Sequence, residues 1–196
     1  MHLDLTPATE TLAGVVSGIG DHQLGAPTPC AGVTVADLLD HVDGLALAFT
    51  AAAAKDLAAG GRPPSADGSR LGTDWRARIP GRLAGLAAAW RGDAAWAGMT
   101  RVGGVDLPGE IAATVAIDEV VVHCWDLAVA TGLSFACDET MLSVAYGFAQ
   151  AAVARDPGGS PGLFGPPVAV PDDAELLDRL LGLTGRDPAG RPDGRS

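Results

Sequence analysis

From Asp106-Leu107-Pro108 to Thr131 the chain reads as one long, mostly apolar helix, with Gly132 placed to stop it. Glu119 and His123 are set into this apolar stretch four residues apart. Residues at i and i+4 sit one above the other on a helix, so the two side chains project together. A second histidine, His41, interrupts another apolar helical stripe formed by Leu38, Val42, Leu45 and Phe49. A buried polar group costs about 2 kcal/mol or more unless it is paired. Two such intrusions point to one shared partner, and a divalent metal suits them best.

The rest of the chain is also punctuated as helices. Thr6-Pro7 reads as N-cap and first helical residue, followed by Leu12, Val15, Val16 and Ile19, with Gly20 as the stop. Thr34-Val35-Ala36-Asp37 resembles a capping box and opens a helix to about Ala59. Another helix is expected from Asp74 to Arg91, where Pro80 marks either a kink or the true start. Asp138 to Arg155 and the shorter Asp173 to Leu183 complete the set, and Met99 to Val105 reads as a brief extended excursion around Gly103-Gly104. Gly60 to Gly72 and Asp156 to Gly162 are connections. No strand–helix alternation or repeat is visible. The expected fold is therefore all-α, a four-helix bundle with short flanking helices. It forms one domain over residues 1–184, followed by a disordered, flexible tail over 185–196.

The formal charge of −11 argues against binding to nucleic acid or an anionic membrane. No uncharged apolar run approaches the roughly 18 residues of a membrane span. Cys30, Cys124 and Cys137 are too few and too scattered for a disulfide framework, which suits a reducing compartment. Met1-His2-Leu3-Asp4 lacks the features of a signal peptide, so a cytoplasmic protein is expected.

Two imidazoles and a carboxylate form a known catalytic zinc set that leaves a position open for water or substrate. His41, Glu119 and His123 are thus the candidate ligands; zinc comes first, and nickel, iron or manganese accept the same donors. The competing reading is an ion pair between Glu119 and His123, with His41 a satisfied core histidine. Asp126, one turn after His123, and Asp37, four residues before His41, are candidates to orient a ligand imidazole, with local pairing or capping as their ordinary alternative. Asp118 points roughly 100° away from Glu119, so only one of the two can face the site. Cys30 precedes the His41 helix and could approach the metal, although a free cysteine is more often inert core. Cys124 points elsewhere on its helix, and Trp125 reads as core.

Three segments carry a family resemblance. Thr28-Pro29-Cys30 with Thr34-Val35-Ala36-Asp37-Leu38-Leu39-Asp40-His41 forms the first. Val122-His123-Cys124-Trp125-Asp126-Leu127-Ala128 with Ala130-Thr131-Gly132 forms the second. Phe164-Gly165-Pro166-Pro167, Leu176-Leu177-Asp178-Arg179-Leu180-Leu181 and Thr184-Gly185-Arg186-Asp187-Pro188 form the third. In this order they resemble the DinB-like superfamily and the N-terminal domain of mycothiol-dependent maleylpyruvate isomerase. Val33 stands where that family usually has tryptophan, and Cys124 where it has a small residue.

The resemblance implies a metal-centred four-helix bundle with a His, Glu, His ligand set falling on His41, Glu119 and His123. It further implies a small-molecule electrophilic substrate, mycothiol or a similar low-molecular-weight thiol as cosubstrate, and a homodimer. The expected activity is a thiol-dependent transferase or isomerase. Residues 156–196 are too short and irregular to supply the isomerase's further C-terminal domain. The alternatives are a metal-dependent hydrolase, a non-catalytic metal-binding, stress or ligand-binding module, and a helical interaction domain without metal.

Overall fold

The computed structural model describes residues 2–61, 64–159 and 163–190. Seven helices and one hairpin are found among them: α1 (Thr6–Gly18), α2 (Val35–Ala53), α3 (Trp75–Ala89), α4 (Asp93–Trp96), β1 (Met99–Val102), β2 (Val105–Pro108), α5 (Gly109–Thr131), α6 (Glu139–Arg155) and α7 (Leu176–Leu183). α1, α3, α2 and α5 pack in a ring, each against the next, and form the four-helix bundle. α6 lies outside this ring against α5, and α7 packs on α6.

The core explains the ring. Leu38, Val42, Leu45 and Phe49 of α2 are buried together with Leu12 and Val16 of α1 and Ile79, Leu83 and Leu86 of α3. Ala112, Ala113, Ala116, Ile117 and Val120 supply the corresponding surface of α5. Small residues dominate that surface and let neighbouring helices approach it closely. α6 contributes Met141, Ala145, Ala149 and Ala152, a stripe at helical spacing. No helix among the described residues is long and apolar enough to cross a membrane.

Capping fixes the helices where the sequence marks them. Thr34 and Asp37 form a reciprocal capping box at the start of α2, and Asp138 caps α6 by accepting from the backbone N–H groups of Thr140 and Met141. At the end of α5, Gly132 takes φ +69°; its N–H donates to Val129 and that of Leu133 to Ala128, giving a Schellman motif.

Several boundaries differ from the sequence reading. α2 ends at Ala53, and Lys55 follows at φ +59° with its ammonium on the Ala95 carbonyl. Around Gly103-Gly104 the chain makes a full hairpin, because both glycines take positive φ, as a tight two-residue turn requires. Asp106 pairs with Arg101 across that hairpin, so α5 begins only at Gly109. α3 starts at Trp75 and runs through Pro80 without ending there. At the C-terminal end, the described chain continues in ordered contact through residue 189; residues 191–196 lie outside the described residues.

Asp37 also ties the 64–70 loop to α2. Its carboxylate accepts from the Thr34 N–H and Oγ1 and from the Gly68 N–H, at 2.9, 2.6 and 2.7 Å. The Thr34 hydroxyl first, then the two N–H groups, hold its carboxyl below the usual range. The folded state therefore binds this proton less readily than the unfolded chain. The resulting stability is present above the unfolded carboxylate range and is lost as pH falls through the depressed value. Asp37→Asn is expected to lower unfolding free energy by about 1 kcal/mol near neutrality. The difference from wild type should close in acid, and urea denaturation at a series of pH values checks this; a gap that stays constant would refute it.

Candidate metal centre

His41 sits in the second turn of α2, whose start is set by the capping box. Glu119 and His123 sit one turn apart in the middle of α5, which packs beside α2. The three side chains meet between the two helices. His123 Nε2 lies 3.0 Å from Glu119 Oε2, and His41 Nε2 lies 3.9 Å from the same oxygen. The imidazole centroids are 5.1 Å apart at right angles. One donor atom from each of the three residues falls within 4.8 Å of the others.

The donor set suits a small dication. Ligand atoms at about 2.1 Å around a tetrahedral metal stand roughly 3.4 Å from one another. The two donor separations, 3.0 and 3.9 Å, bracket that value. Glu119 rather than Asp118 shares this space. Asp118 is buried in its own position on α5 with Oδ1 unpartnered, and burial holds its carboxyl well above the usual range.

Asp126 stands directly behind His123. Its Oδ2 lies 2.9 Å from His123 Nδ1. An Nδ1–H held on this carboxylate leaves the Nε2 lone pair facing Glu119 and His41. Asp37, the other candidate for orienting an imidazole, is instead occupied by Thr34 and Gly68. Its capping geometry turns it to its own backbone and the neighbouring loop.

Two further residues complete the centre. Arg186, just after α7, donates from Nε to Asp126 Oδ1 at 3.2 Å and from Nη2 to Asp126 Oδ2 at 2.8 Å. Its Nη1 donates to the Thr184 carbonyl. Cys30, in the loop before α2, donates from Sγ to Asp126 Oδ2 at 3.2 Å and accepts from Arg186 Nη2 at 3.3 Å. Burial alone would raise the Asp126 carboxyl, but His123 and Arg186 outweigh it and hold Asp126 at about 2. Burial works against a charged His123, yet hydrogen bonds to Asp126, Cys30 and Glu119 raise it well above its ordinary range. Glu119, by contrast, is held below its ordinary range despite burial, by His123 first and then by the neighbouring His41 imidazole. A dication at Nε2 would compete with the His123 proton.

Cys30, His123 and Asp126 also lie close enough to form a second ligand group. There, however, the Arg186 guanidinium already supplies the positive charge. Among the described residues no guanidinium is hydrogen-bonded to His41 or Glu119, and the His41, Glu119 and His123 set opens into a pocket of about 450 Å³. Cys30 and Arg186 form one wall of it, and Leu163 and Pro166 another. Cys124 and Trp125 are buried, as their places on α5 imply, and burial pushes the Cys124 thiol up to about 12.

Sequence reasoning placed Arg186 in the flexible tail and so missed it. Nothing in helical periodicity marks an arginine just after a helix stop as buried. The signal was the Thr184-Gly185-Arg186-Asp187-Pro188 motif.

The family model for the mycothiol maleylpyruvate isomerase N-terminal domain matches residues 5–128. An uncharacterised protein of Mycobacterium tuberculosis, found in two strains, is 29% identical over 182 residues, covering 91% of this chain and 93% of its own length. Among solved structures, mycothiol-dependent maleylpyruvate isomerase matches with TM-score 0.59 and 22% identity, over 78% of this chain and 70% of that one. A histidine-to-alanine variant of that enzyme gives TM-score 0.58 and 21% identity, over 76% and 68%. At these identities the structural likeness is one of fold.

Removing Arg186 should strand the Asp126 carboxylate, which is 0% exposed. Arg186→Leu is expected to cost about 3 kcal/mol or more in chemical denaturation of the metal-free protein. Adding Asp126→Asn should recover part of that loss, since no buried charge then lacks its partner. A cost below about 0.5 kcal/mol, typical of an exposed surface residue, would contradict this reading.

Proposed function

The chain belongs to the mycothiol maleylpyruvate isomerase N-terminal domain family, and we propose that it is a metal-dependent thiol transferase or isomerase. In this reading His41, Glu119 and His123 hold one divalent cation, zinc foremost, with nickel, iron or manganese accepting the same donors. The cosubstrate is a low-molecular-weight thiol of the mycothiol type, and the substrate a small electrophile.

The observation that carries this reading is the position of His41. An ion pair between Glu119 and His123 accounts for those two residues at 3.0 Å. It leaves His41 Nε2 3.9 Å from the shared oxygen, too far for a hydrogen bond. A cation between the three donors accounts for all of them.

A dication bound there would lower the pKa of a coordinated thiol and so favour its thiolate. The protein's own groups arrange the surroundings. Asp126 fixes the ring orientation of His123, and Arg186 balances the Asp126 charge. Leu163, Pro166 and Pro29 give the pocket apolar walls that limit water around a bound electrophile. The supported reaction class is transfer of the thiol to an electrophilic carbon, or its reversible addition and loss in an isomerisation. The free state of Cys30, Cys124 and Cys137 suits a cytoplasmic setting for such chemistry.

Metal content by mass spectrometry, on protein purified without an affinity tag, tests the proposal. Wild type is expected to hold one equivalent; His41→Ala and His123→Ala should lose it while keeping their helical content. Asp126→Asn should weaken metal affinity by about 10- to 100-fold. Titrating mycothiol against the cobalt-substituted protein should then change the ligand-field spectrum. A wild type that takes up no metal after reconstitution would return the three residues to the role of core pairs. Metal binding without any response to thiol would favour the hydrolase or the non-catalytic module.

A further inference from the structure

A groove of about 700 Å³ runs along the outer side of α2. It shares no lining residue with the candidate centre: Asp40 borders the groove, while the next residue, His41, lines the pocket on the other face of the helix. The volume is in the range that holds a small organic ligand.

The floor is apolar. Gly44, Leu47, Ala48 and Ala51 recur at helical spacing along one face of α2. Leu47, in the middle of this run, is 49% exposed. An isolated surface leucine is ordinary; one set over a floor of small residues gives an apolar chain or ring something to pack on. Pro64 walls the groove and lies against Gly44, where a Cβ would come within 3.1 Å of the proline Cβ.

One end of the groove is cationic. Arg82 reaches it from α3 and Arg70 from the 64–70 loop. Each guanidinium rests on a carboxylate of α2. Arg70 Nη2 donates to Asp40 Oδ2 at 2.8 Å, and Arg82 Nη1 lies 2.7 Å from Asp43 Oδ2. Asp40 and Asp43 are one turn apart, so these contacts set the two guanidiniums side by side. Neither is saturated: Nε and Nη2 of Arg82 and Nη1 of Arg70 meet no acceptor among the described residues. The carboxylates beneath are largely covered, and Asp43 also pairs with Arg78. What this end presents to the groove is therefore the remaining N–H donors, whose planar fork matches a carboxylate.

The far end limits what can follow that carboxylate. From Asp43 to Ala51 the helix rises about 12 Å. Beyond Ala51 stands Asp56, one oxygen of which accepts from the N–H groups of Ala58 and Ala59. A second negative group at the tail of a ligand would meet Asp56, and a polyanion would meet a chain of net charge −11.

We propose that this groove is a second ligand site, for a small monocarboxylate with an uncharged apolar tail. Arg82 and Arg70 hold the carboxylate, and the tail lies over Leu47 and Ala51. The assignment is independent of the metal and thiol reading above.

The test uses the full chain, ¹⁵N-labelled, with three probes of one length: octanoate, octan-1-ol and octanedioate. Octanoate is expected to shift the amide resonances of Gly44, Leu47 and Ala51 saturably. The alcohol, which lacks the charge, and the dicarboxylate, which meets Asp56, should each bind at least about tenfold more weakly. Arg82→Gln should weaken octanoate by about tenfold in calorimetry, the loss of one hydrogen bond to a charged group, and leave octan-1-ol unchanged. Leu47→Asn, at an exposed position, should weaken all three probes alike. Octanoate shifts confined to Glu119 and His123 would place the carboxylate at the centre and overturn the proposal. So would equal affinity for octanedioate, unchanged octanoate affinity in Arg82→Gln, or no saturable binding to the wild type.

Discussion

Asp126 is the charge around which the centre is organised. Its carboxylate is fully removed from solvent, and such a group is tolerated only when paired and hydrogen-bonded. Three partners from three parts of the chain meet that need: His123 from the same helix, Cys30 from the loop before α2, and Arg186 from beyond α7. Satisfying one buried carboxylate thus joins elements separated by 156 residues between Cys30 and Arg186. The same arrangement sets the orientation of His123 and presents its other nitrogen to Glu119 and His41. Orientation of a candidate ligand and closure of the C-terminal segment are therefore one electrostatic event.

The bundle makes this geometry possible through helix register rather than loop placement. The capping box fixes where α2 begins, and with it the turn that carries His41. The Schellman motif fixes where α5 ends, within about three and a half turns of Glu119, His123 and Asp126. Alanine-rich packing along α5 keeps its neighbours close enough for a side chain on α2 to reach one on α5. A site built on two packed helices holds its donors more rigidly than one built on loops. Among the described residues, Leu163, Gly165 and Pro166 border the pocket together with Pro29, Cys30 and Ala31 of the loop before α2, whereas Pro64 and Ser65 line a separate groove on α2.

Most of the bundle was legible because its signals are local. Caps at Thr34 and Asp138, the stop at Gly132 and the apolar stripe of α2 each act within a turn or two, and all appear where the residues indicate. The meeting of Glu119 with His123 was legible for the same reason. That His41 joins them depends on which helices are neighbours, a tertiary fact that sequence spacing suggests only through two separate polar intrusions. The hairpin was half legible: the glycine pair marked a turn, while the pairing of Arg101 with Asp106 needed the register of both strands. Arg186 was hidden because a solvated arginine and a buried one look alike until their counter-charge is known. Its partner, Asp126, lies 60 residues away.

The division of the site along the chain bears on what the shared family contributes. His41, Glu119, His123, Asp126 and Cys30 all fall within residues 5–128, the span the family model matches. Arg186, Leu163 and Pro166, which line the pocket, lie outside it. The inner group sets which cation and which protonation states the centre can support, because those depend on donor type and immediate charge. The outer group sets what can lie against that centre, because pocket shape and the hydrogen bonds at its rim decide which ligands are accepted. Arg186 belongs to both, since the guanidinium that neutralises Asp126 also faces the pocket. A change in the C-terminal segment can therefore alter ligand choice without touching the donors. A change at Arg186 cannot, because it would disturb the charge balance on which the orientation of His123 rests.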